Sequence, residues 1–237
     1  MTDHLIENPA VIDLGVMGYA QAWAYQQRVH QAVLDDAGGE SILLVEHPPV
    51  ITISQRKSSP NHLLANREQL AAMGIDVQPT NRGGDITYHG PGQLVAYPIV
   101  RLRPRALTVS GYMRRLEQAV IDTLANYDIT GHRDAGATGV WVSRGSDASA
   151  GSAKICAMGV RLRRNITMHG LGLNVCPDLS HFQTIVPCGL VGRDVTSIEA
   201  LIGDRGPTMA TVKRDLTAAL LQQLQASEPD DRDAAGG

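Results

Sequence analysis

The positions Tyr19, Trp23, Gln26, His30, Val33 and Leu34 recur at three- and four-residue spacing. That is the period of one helix face, so a helix is predicted with its C-terminus at Gly38-Gly39. Continuous apolar runs at Ser41–Glu46 and Val50–Ile53 read as short strands, and the doubled proline of His47-Pro48-Pro49 fixes the turn between them. Asn66, followed by Gln69 and then by Gly74, has the form of a short capped helix carrying Leu70 and Met73. Strands are expected at 75–77 and 86–88. The run 93–100 is nearly all apolar between turn residues, as in a strand covered on both faces. Met113, Leu116, Val120, Leu124 and Tyr127 mark a second helix after Ser110, and Val212, Leu216, Ala219, Leu220 and Leu224 mark a last one after Pro207. Between these two lie β-rich segments at 139–143, 153–162 and 166–175. The small, polar stretch 143–153 reads as a mobile loop, and the acidic tail from Ala226 as disordered.

Strands mixed with three or four helices, without strict alternation or an internal repeat, point to an α/β or α+β fold around a mixed sheet. With 237 residues, 43% of them hydrophobic, the chain can bury a full core. No Pro/Gly/Ser-rich linker divides it, so one domain over 1–226 is expected, followed by the tail 227–237. Only nine residues are aromatic, so that core must be mostly aliphatic.

A net charge of −3 argues against a surface built for nucleic acid. The stretch 101–164 nevertheless carries eleven basic and five acidic residues. Such an excess is either a solvated face or a surface that steers an acidic partner. No run reaches the ~18 apolar residues of a spanning helix, and the start Met-Thr-Asp-His lacks a secretory pattern. Three cysteines with no CxxC pair suit a reduced compartment. We therefore expect a cytoplasmic protein with no membrane contact and no disulfide.

Several places can carry chemistry. Val186-Pro187-Cys188-Gly189-Leu190 sets a thiol between proline and glycine, where a chain turns sharply and can present a side chain in a cleft; the competing reading is a buried, inert cysteine. Cys156 and Cys176 sit in apolar runs and read as core. A reactive thiol needs help, since a pKa of about 8.5 leaves only a few per cent ionised at neutral pH. Lys154, one of only three lysines, opens Lys-Ile-Cys-Ala-Met-Gly-Val-Arg. In such a run its charge would be partly desolvated and its pKa lowered, unless it is simply the exposed first residue of a strand. His89, His169 and His181, all near turns, are rival bases. The spacing of His169, Cys176, His181 and Cys188 fits no compact zinc pattern.

The densest signal is Arg82-Gly83-Gly84-Asp85-Ile86-Thr87-Tyr88-His89-Gly90-Pro91-Gly92-Gln93. Paired glycines let a main chain come close to a ligand, so a strand held between them lines a pocket, although the run matches neither a P-loop nor a dinucleotide fingerprint. Gly170-Leu171-Gly172, lacking bulk at both glycines, reads either as a wall beside an apolar chain or as a strand bend.

Val45-Glu46-His47-Pro48-Pro49, the Arg82 to Gln93 block, Lys154-Ile155 with Ala157, Gly159-Val160-Arg161, and Pro187-Cys188-Gly189 together resemble the lipoyl (octanoyl) transferases of lipoate biosynthesis, in order and spacing across roughly residues 10–220. The resemblance implies the mixed sheet flanked by helices that biotin and lipoate protein ligases share. It implies transfer of an octanoyl group from octanoyl-acyl carrier protein to a lysine of the lipoyl domains of 2-oxoacid dehydrogenases or of the glycine cleavage H protein. Cys188 would form the acyl-thioester and Lys154 would activate it, with no metal and no cofactor. The acyl pocket would map onto Arg82, Gly83, Gly84, Asp85, Ile86, Thr87, Tyr88 and His89, onto Ala157, Met158 and Gly159, and onto Gly170, Leu171 and Gly172. Backbone N–H groups at Gly83-Gly84 or Cys188-Gly189 would face the oxyanion. Cys156 in place of the family's usual alanine, Leu171-Gly172 in place of Phe-Ala, and the stretch 143–153 depart from the pattern; the last two would widen or loosen the pocket. An ATP-dependent lipoate or biotin ligase of the same fold, which needs no nucleophilic cysteine, is the alternative; a non-catalytic carrier-binding module is the second.

Overall fold

The computed structural model describes residues 7–144, 151–186 and 193–225. The chain opens with a parallel crossover: β1 (Ala10–Val16), α1 (Tyr19–Leu34) and β2 (Ser41–Glu46) form a βαβ unit in which β1 pairs in parallel with β2. The helix ends at Leu34, short of the glycines expected to end it. Asp35 already turns back onto the carbonyls of Gln31 and Val33, and Asp36 follows with φ 53°.

β2 and β3 (Val50–Ile53) have the expected bounds but do not form a hairpin, because the prolines between them carry the chain into a second sheet. That small sheet holds β4 (Asp76–Pro79), β3 and β5 (Ile86–His89) in that order. Its helix α2 (Arg67–Ala72) has the full capping box: the Asn66 side chain accepts from the Gln69 N–H, and the Gln69 side chain accepts from the Asn66 N–H.

The large sheet takes β6 (Gln93–Ile99) next to β2, then β10 (Ile166–Asn174), β9 (Ser152–Arg163), β8 (Ala137–Ser143) and β7 (Gly131–Asp134), all antiparallel from β2 onward. A two-residue strand β11 (Asp194–Val195) adds in parallel to the end of β9. Two of the stretches read as mobile or disordered lie largely outside the described residues, at 145–150 and 226–237. The flanks of the first are strand instead: β8 runs to Ser143, β9 starts at Ser152, and the Arg144 N–H donates to the Gly151 carbonyl.

Strand alternation sends the two faces of β6 to two cores. Leu94 and Ala96 pack with Leu116 and Val120 of α3 (Val109–Ala125) and, past the short helix α4 (Ile198–Ile202) in the chain, with Leu216 and Leu220 of α5 (Met209–Gln225). Val95, Tyr97 and Ile99 pack on the other face with Ala22 and Val33 of α1. Burying one such leucine contributes about 1.5–3 kcal/mol. The α3 cap is Thr108, whose side chain accepts from the Gly111 N–H; the marker Ser110 is already inside the helix.

The small sheet is fastened to the large one at Gly83 and Gly159. The Gly83 N–H donates to the Val160 carbonyl at 2.9 Å. A Cβ on Gly159 would lie 2.5 Å from the Gly83 carbonyl oxygen, and one on Gly83 would lie 2.9 Å from the Val160 carbonyl oxygen. Only two glycines let these backbones meet so closely. Gly159→Ala should therefore lower the unfolding free energy by about 1–3 kcal/mol in a denaturant melt. Gly39→Ala, which meets nothing within 4 Å, should change it by less than about 0.5 kcal/mol.

Candidate active site

A cavity opens where β5, β6, β9 and β10 come together under the N-terminus of α1. It encloses about 450 Å³ counting its open mouth, of which only about 30 Å³ is wide enough for the centre of a water molecule, so it is a slot. Val95, Tyr97, Met158, Ala157 and Leu171 make its apolar walls; Gly84, Gly159, Gly170 and Gly172 complete them. Gly170 lacks a side chain for a packing reason, since a Cβ there would lie 2.1 Å from the Ala96 carbonyl oxygen.

Of the Arg82 to His89 block, Arg82, Gly84, Asp85, Thr87 and His89 line this slot, and Gly83 lines its neighbour. Ile86 and Tyr88 do not. They alternate to the opposite face of β5 and join Ile51, Leu70 and Phe182 in the core of the small sheet. Arg82 reaches back to β3, donating to the carbonyl and the side-chain hydroxyl of Thr52 at 3.1 and 3.0 Å.

Buried histidines form the polar end of the slot. His89 Nδ1–H donates to Gln93 Oε1 at 2.6 Å, and the Gln93 amide donates to Asn174 Oδ1 at 2.9 Å. His47 Nδ1–H donates to the Met17 carbonyl at 2.7 Å, which leaves Nε2 to accept from the Tyr97 hydroxyl at 2.8 Å. His169 bonds Asn81 Oδ1 through Nε2 at 2.7 Å and holds its backbone at φ 58°, a conformation a non-glycine residue adopts rarely. Burial holds His47 down to about 4, and His89 and His169 down to about 3. All three are neutral near pH 7, and His89 and His169 are the two that line the slot. The third rival base, His181, instead accepts or donates a bond to the Tyr88 hydroxyl at 2.7 Å, outside the slot.

A second, wider cavity of about 810 Å³ counting its open mouth, of which about 310 Å³ is wide enough for the centre of a water molecule, adjoins the slot and shares Gly84, Asp85, Met158 and Gly159 with it. Lys154 lies in its wall. The side chain is buried, third in β9 and not an exposed strand start: Nζ donates to the Thr138 carbonyl at 3.0 Å and stands 4.7 Å from the centroid of the Trp141 ring. Gly83, one of the expected oxyanion donors, has its N–H committed to Val160.

Pro187, Cys188 and Gly189 lie outside the described residues, but both flanks of that stretch are fixed. The Val186 N–H donates to the His62 carbonyl at 2.8 Å. The chain is next described at Arg193, whose guanidinium lies 4.8 Å from the Trp141 ring centroid, and Asp194 and Val195 then pair with Ala153 and Lys154. Of the other thiols, Cys156 is buried and pushed far up by desolvation. Cys176 is exposed, not core as its run suggested, because β10 ends at Asn174; partial desolvation and the Glu199 and Glu46 carboxylates push it up too.

The basic stretch is not one face. Arg105 is buried, paired with Glu40 at 2.7 Å and donating to the Leu224 carbonyl, and Arg115 is buried as well. Arg103, Arg161, Arg163 and Arg164 are exposed. Among the described residues no cluster of three His, Cys, Asp or Glu could hold a metal ion, and no helix is long and apolar enough to cross a membrane.

The chain is similar to known proteins in sequence and in fold. Residues 18–221 match the family described as lipoyl protein ligase A/B catalytic domain. An octanoyltransferase of Chloroflexus aggregans is 48% identical over 211 residues, 89% of this chain and 92% of that one. The chain belongs to the octanoyltransferase family. The fold extends further: the bipartite lipoate protein ligase of Thermoplasma acidophilum, in a study with its E2 lipoyl domain, superposes with TM-score 0.69 at 14% identity over 92% of this chain and 84% of that one. Biotin protein ligase of Aquifex aeolicus, in complex with biotin and ATP, gives 0.53 at 12% identity over 92% and 71%. Those likenesses show the biotin and lipoate ligase fold alone.

Within this family member, sequence reasoning missed Tyr19, Val95 and Tyr97 of the slot. Tyr19 and Tyr97 occupy ordinary helix and strand positions, and the only available signal was a polar-tipped ring in each buried run. The neutral histidines make a test. Between the unfolded value of about 6.5 and the folded values of about 3 to 4, the unfolded chain binds protons that the native chain does not, so stability is complete above pH 6.5 and falls as pH drops below it. At pH 5.5 each histidine should cost about 1.4 kcal/mol, roughly 4 kcal/mol for the three. Urea melts from pH 7.5 down to 5 should show that loss, and His89→Gln should reduce its slope.

Proposed function

We propose that the chain transfers octanoyl from the thioester of an acyl carrier protein to the lysine amine of a lipoyl domain through a thioester on Cys188, with Lys154 as the base. Octanoyl transfer in lipoate biosynthesis is the activity of its family. The observation that carries the Cys188 and Lys154 reading is the pinning of both flanks of 187–192, one at His62 and the other in register with Lys154, around a cavity continuous with an apolar slot.

Lys154 takes the Cys188 proton. The thiolate attacks the donor's carbonyl carbon, the carbon–sulfur bond to the carrier breaks, and the departing sulfur recovers the proton from Lys154. The acceptor nitrogen then attacks the Cys188 thioester, the amide forms, and the Cys188 sulfur leaves as thiolate while Lys154 accepts a proton from the nitrogen. Thiol exchange is near isoenergetic and amide formation is downhill, so the intermediate divides one hard step into two easier ones. The slot takes the acyl chain, with the lining residues of the Arg82, Ala157 and Gly170 segments around it. The reading assigns one catalytic domain over 1–226, acting in the cytoplasm on lipoyl domains such as those of 2-oxoacid dehydrogenases and the glycine cleavage H protein. The exposed arginines at 161, 163 and 164 suit an acidic carrier.

Intact mass after mixing with octanoyl-carrier protein tests the intermediate. The native chain should gain one octanoyl group, Cys188→Ser none, and Lys154→Ala the same adduct about a hundredfold more slowly. Octanoyl adenylate formed from octanoate and ATP would instead favour a ligase. Each methylene is worth about 0.8 kcal/mol, so donors one carbon longer or shorter should react within about tenfold of octanoyl.

A further inference from the structure

Asp85 does not suit a wall for a fatty chain. A carboxylate buried beside an apolar ligand is costly unless it is paired, yet Asp85 is 6% exposed and lines both the slot and the adjoining cavity. One of its oxygens, Oδ2, stands 2.7 Å from His62 Nδ1. The other, Oδ1, is buried and has no hydrogen-bond partner. Among the described residues lining the two cavities it is the only carboxylate, against the guanidinium groups of Arg56 and Arg82, with Lys154 the base in the same wall.

The reaction supplies the missing partner. A lysine amine with a pKa of about 10.4 arrives as an ammonium. It must enter a space whose other fixed charges are positive, and a like charge without a counter-ion is repelled there. Resting on the proposed transfer, we infer that Asp85 Oδ1 is the seat of the acceptor's lysine ammonium, with His62 the positioning residue that holds the carboxylate through Oδ2. His62 is tied in turn to the stretch leading to Cys188, since its carbonyl accepts from the Val186 N–H. The carboxylate therefore sits at the junction of the two cavities, where the acyl carbon and the amine must meet. The oxygen binds the ammonium before any bond changes; Lys154 then takes its extra proton, the freed amine attacks the Cys188 thioester, and the second nitrogen proton goes to the departing Cys188 thiolate.

The two half-reactions separate this seat from a structural role. Octanoyl adduct is formed first from octanoyl-carrier protein, then the same adduct is challenged with a lipoyl domain or with hydroxylamine, a nucleophile uncharged near neutral pH. Hydroxylamine nitrogen attacks the thioester carbonyl, the carbon–sulfur bond breaks, and the thiolate takes the nitrogen's proton. Asp85→Asn should slow transfer to the lipoyl domain at least about tenfold more than it slows adduct formation or hydroxylamine cleavage of the adduct, with a raised KM for that domain. Asp85→Glu should recover part of the loss, and His62→Gln should show a smaller loss of the same kind. Adduct formation or hydroxylamine cleavage slowed as much as transfer to lysine, in Asp85→Asn and His62→Gln alike, would mark a structural role and overturn the inference; so would unchanged transfer to the lipoyl domain. No adduct on the native chain would instead remove the Cys188 reading beneath it.

Discussion

The contact between the Gly83 and Gly159 backbones is the constraint on which the site depends. Two sheets that share no strand are held at a fixed spacing here by main chain against main chain, with the His89–Gln93 and His169–Asn81 hydrogen bonds beside it. At this point the Gly83 carbonyl passes where a Cβ of residue 159 would be, and the Gly83 N–H bonds the next carbonyl of the same strand. The approach closes one side of the slot with main chain and leaves the side chains of Thr87 and His89 to face inward. It also spends a hydrogen-bond donor. An amide used to join the sheets is not available to a developing oxyanion, so the glycine pair acts by shaping the wall.

A slot this narrow is a poor place for unsatisfied polar groups, and two bonded chains meet that demand at its polar end, whereas His169 Nδ1 and Asp85 Oδ1 are buried without a hydrogen-bond partner. The chain from His89 through Gln93 to Asn174, and the separate one from Met17 through His47 to Tyr97, use both the donor and the acceptor capacity of the rings and amides. Keeping the histidines neutral would keep charge away from an acyl chain bound in the slot, as the proposed transfer has it. It also removes them as bases of useful strength, because a group titrating near 3 holds a proton too weakly to activate a thiol or an amine at neutral pH. Under the proposed transfer that task falls to the buried amine of Lys154, in the other cavity.

Elements whose packing follows a local period were legible in the sequence. α1, α3 and α5 show the helical repeat, β6 is apolar on both faces because two cores cover it, and α2 carries its caps within eight residues. What stayed hidden depends on partners far along the chain. β1, β7 and β11 are short or half-exposed edge pieces stabilised by their neighbours, with no strong pattern of their own. The Arg82 to His89 block announced a pocket through its glycines, but a run of adjacent residues cannot say that Ile86 and Tyr88 turn away from it; the strand pleat decides that. Nor does local sequence show that Arg105 is an internal ion pair, because its partner Glu40 and the Leu224 carbonyl come from opposite ends of the chain.

The two adjoining cavities divide the chemical problem. An acyl chain contributes binding free energy by leaving water, which calls for apolar walls and a tight fit. An amine and a thiol exchanging a proton need fixed charges that do not reorganise, which calls for a base and a counter-ion held by the fold. Mixing the two would weaken both, since water drawn in by the charges would loosen the grip on the chain, and the chain would strip the charges of solvation. The shared wall of Gly84, Asp85, Met158 and Gly159 separates the two cavities, and in the proposed transfer the carbonyl carbon would lie at that boundary. Only one member of that wall is charged, and its free oxygen is the feature that an acyl pocket alone does not explain.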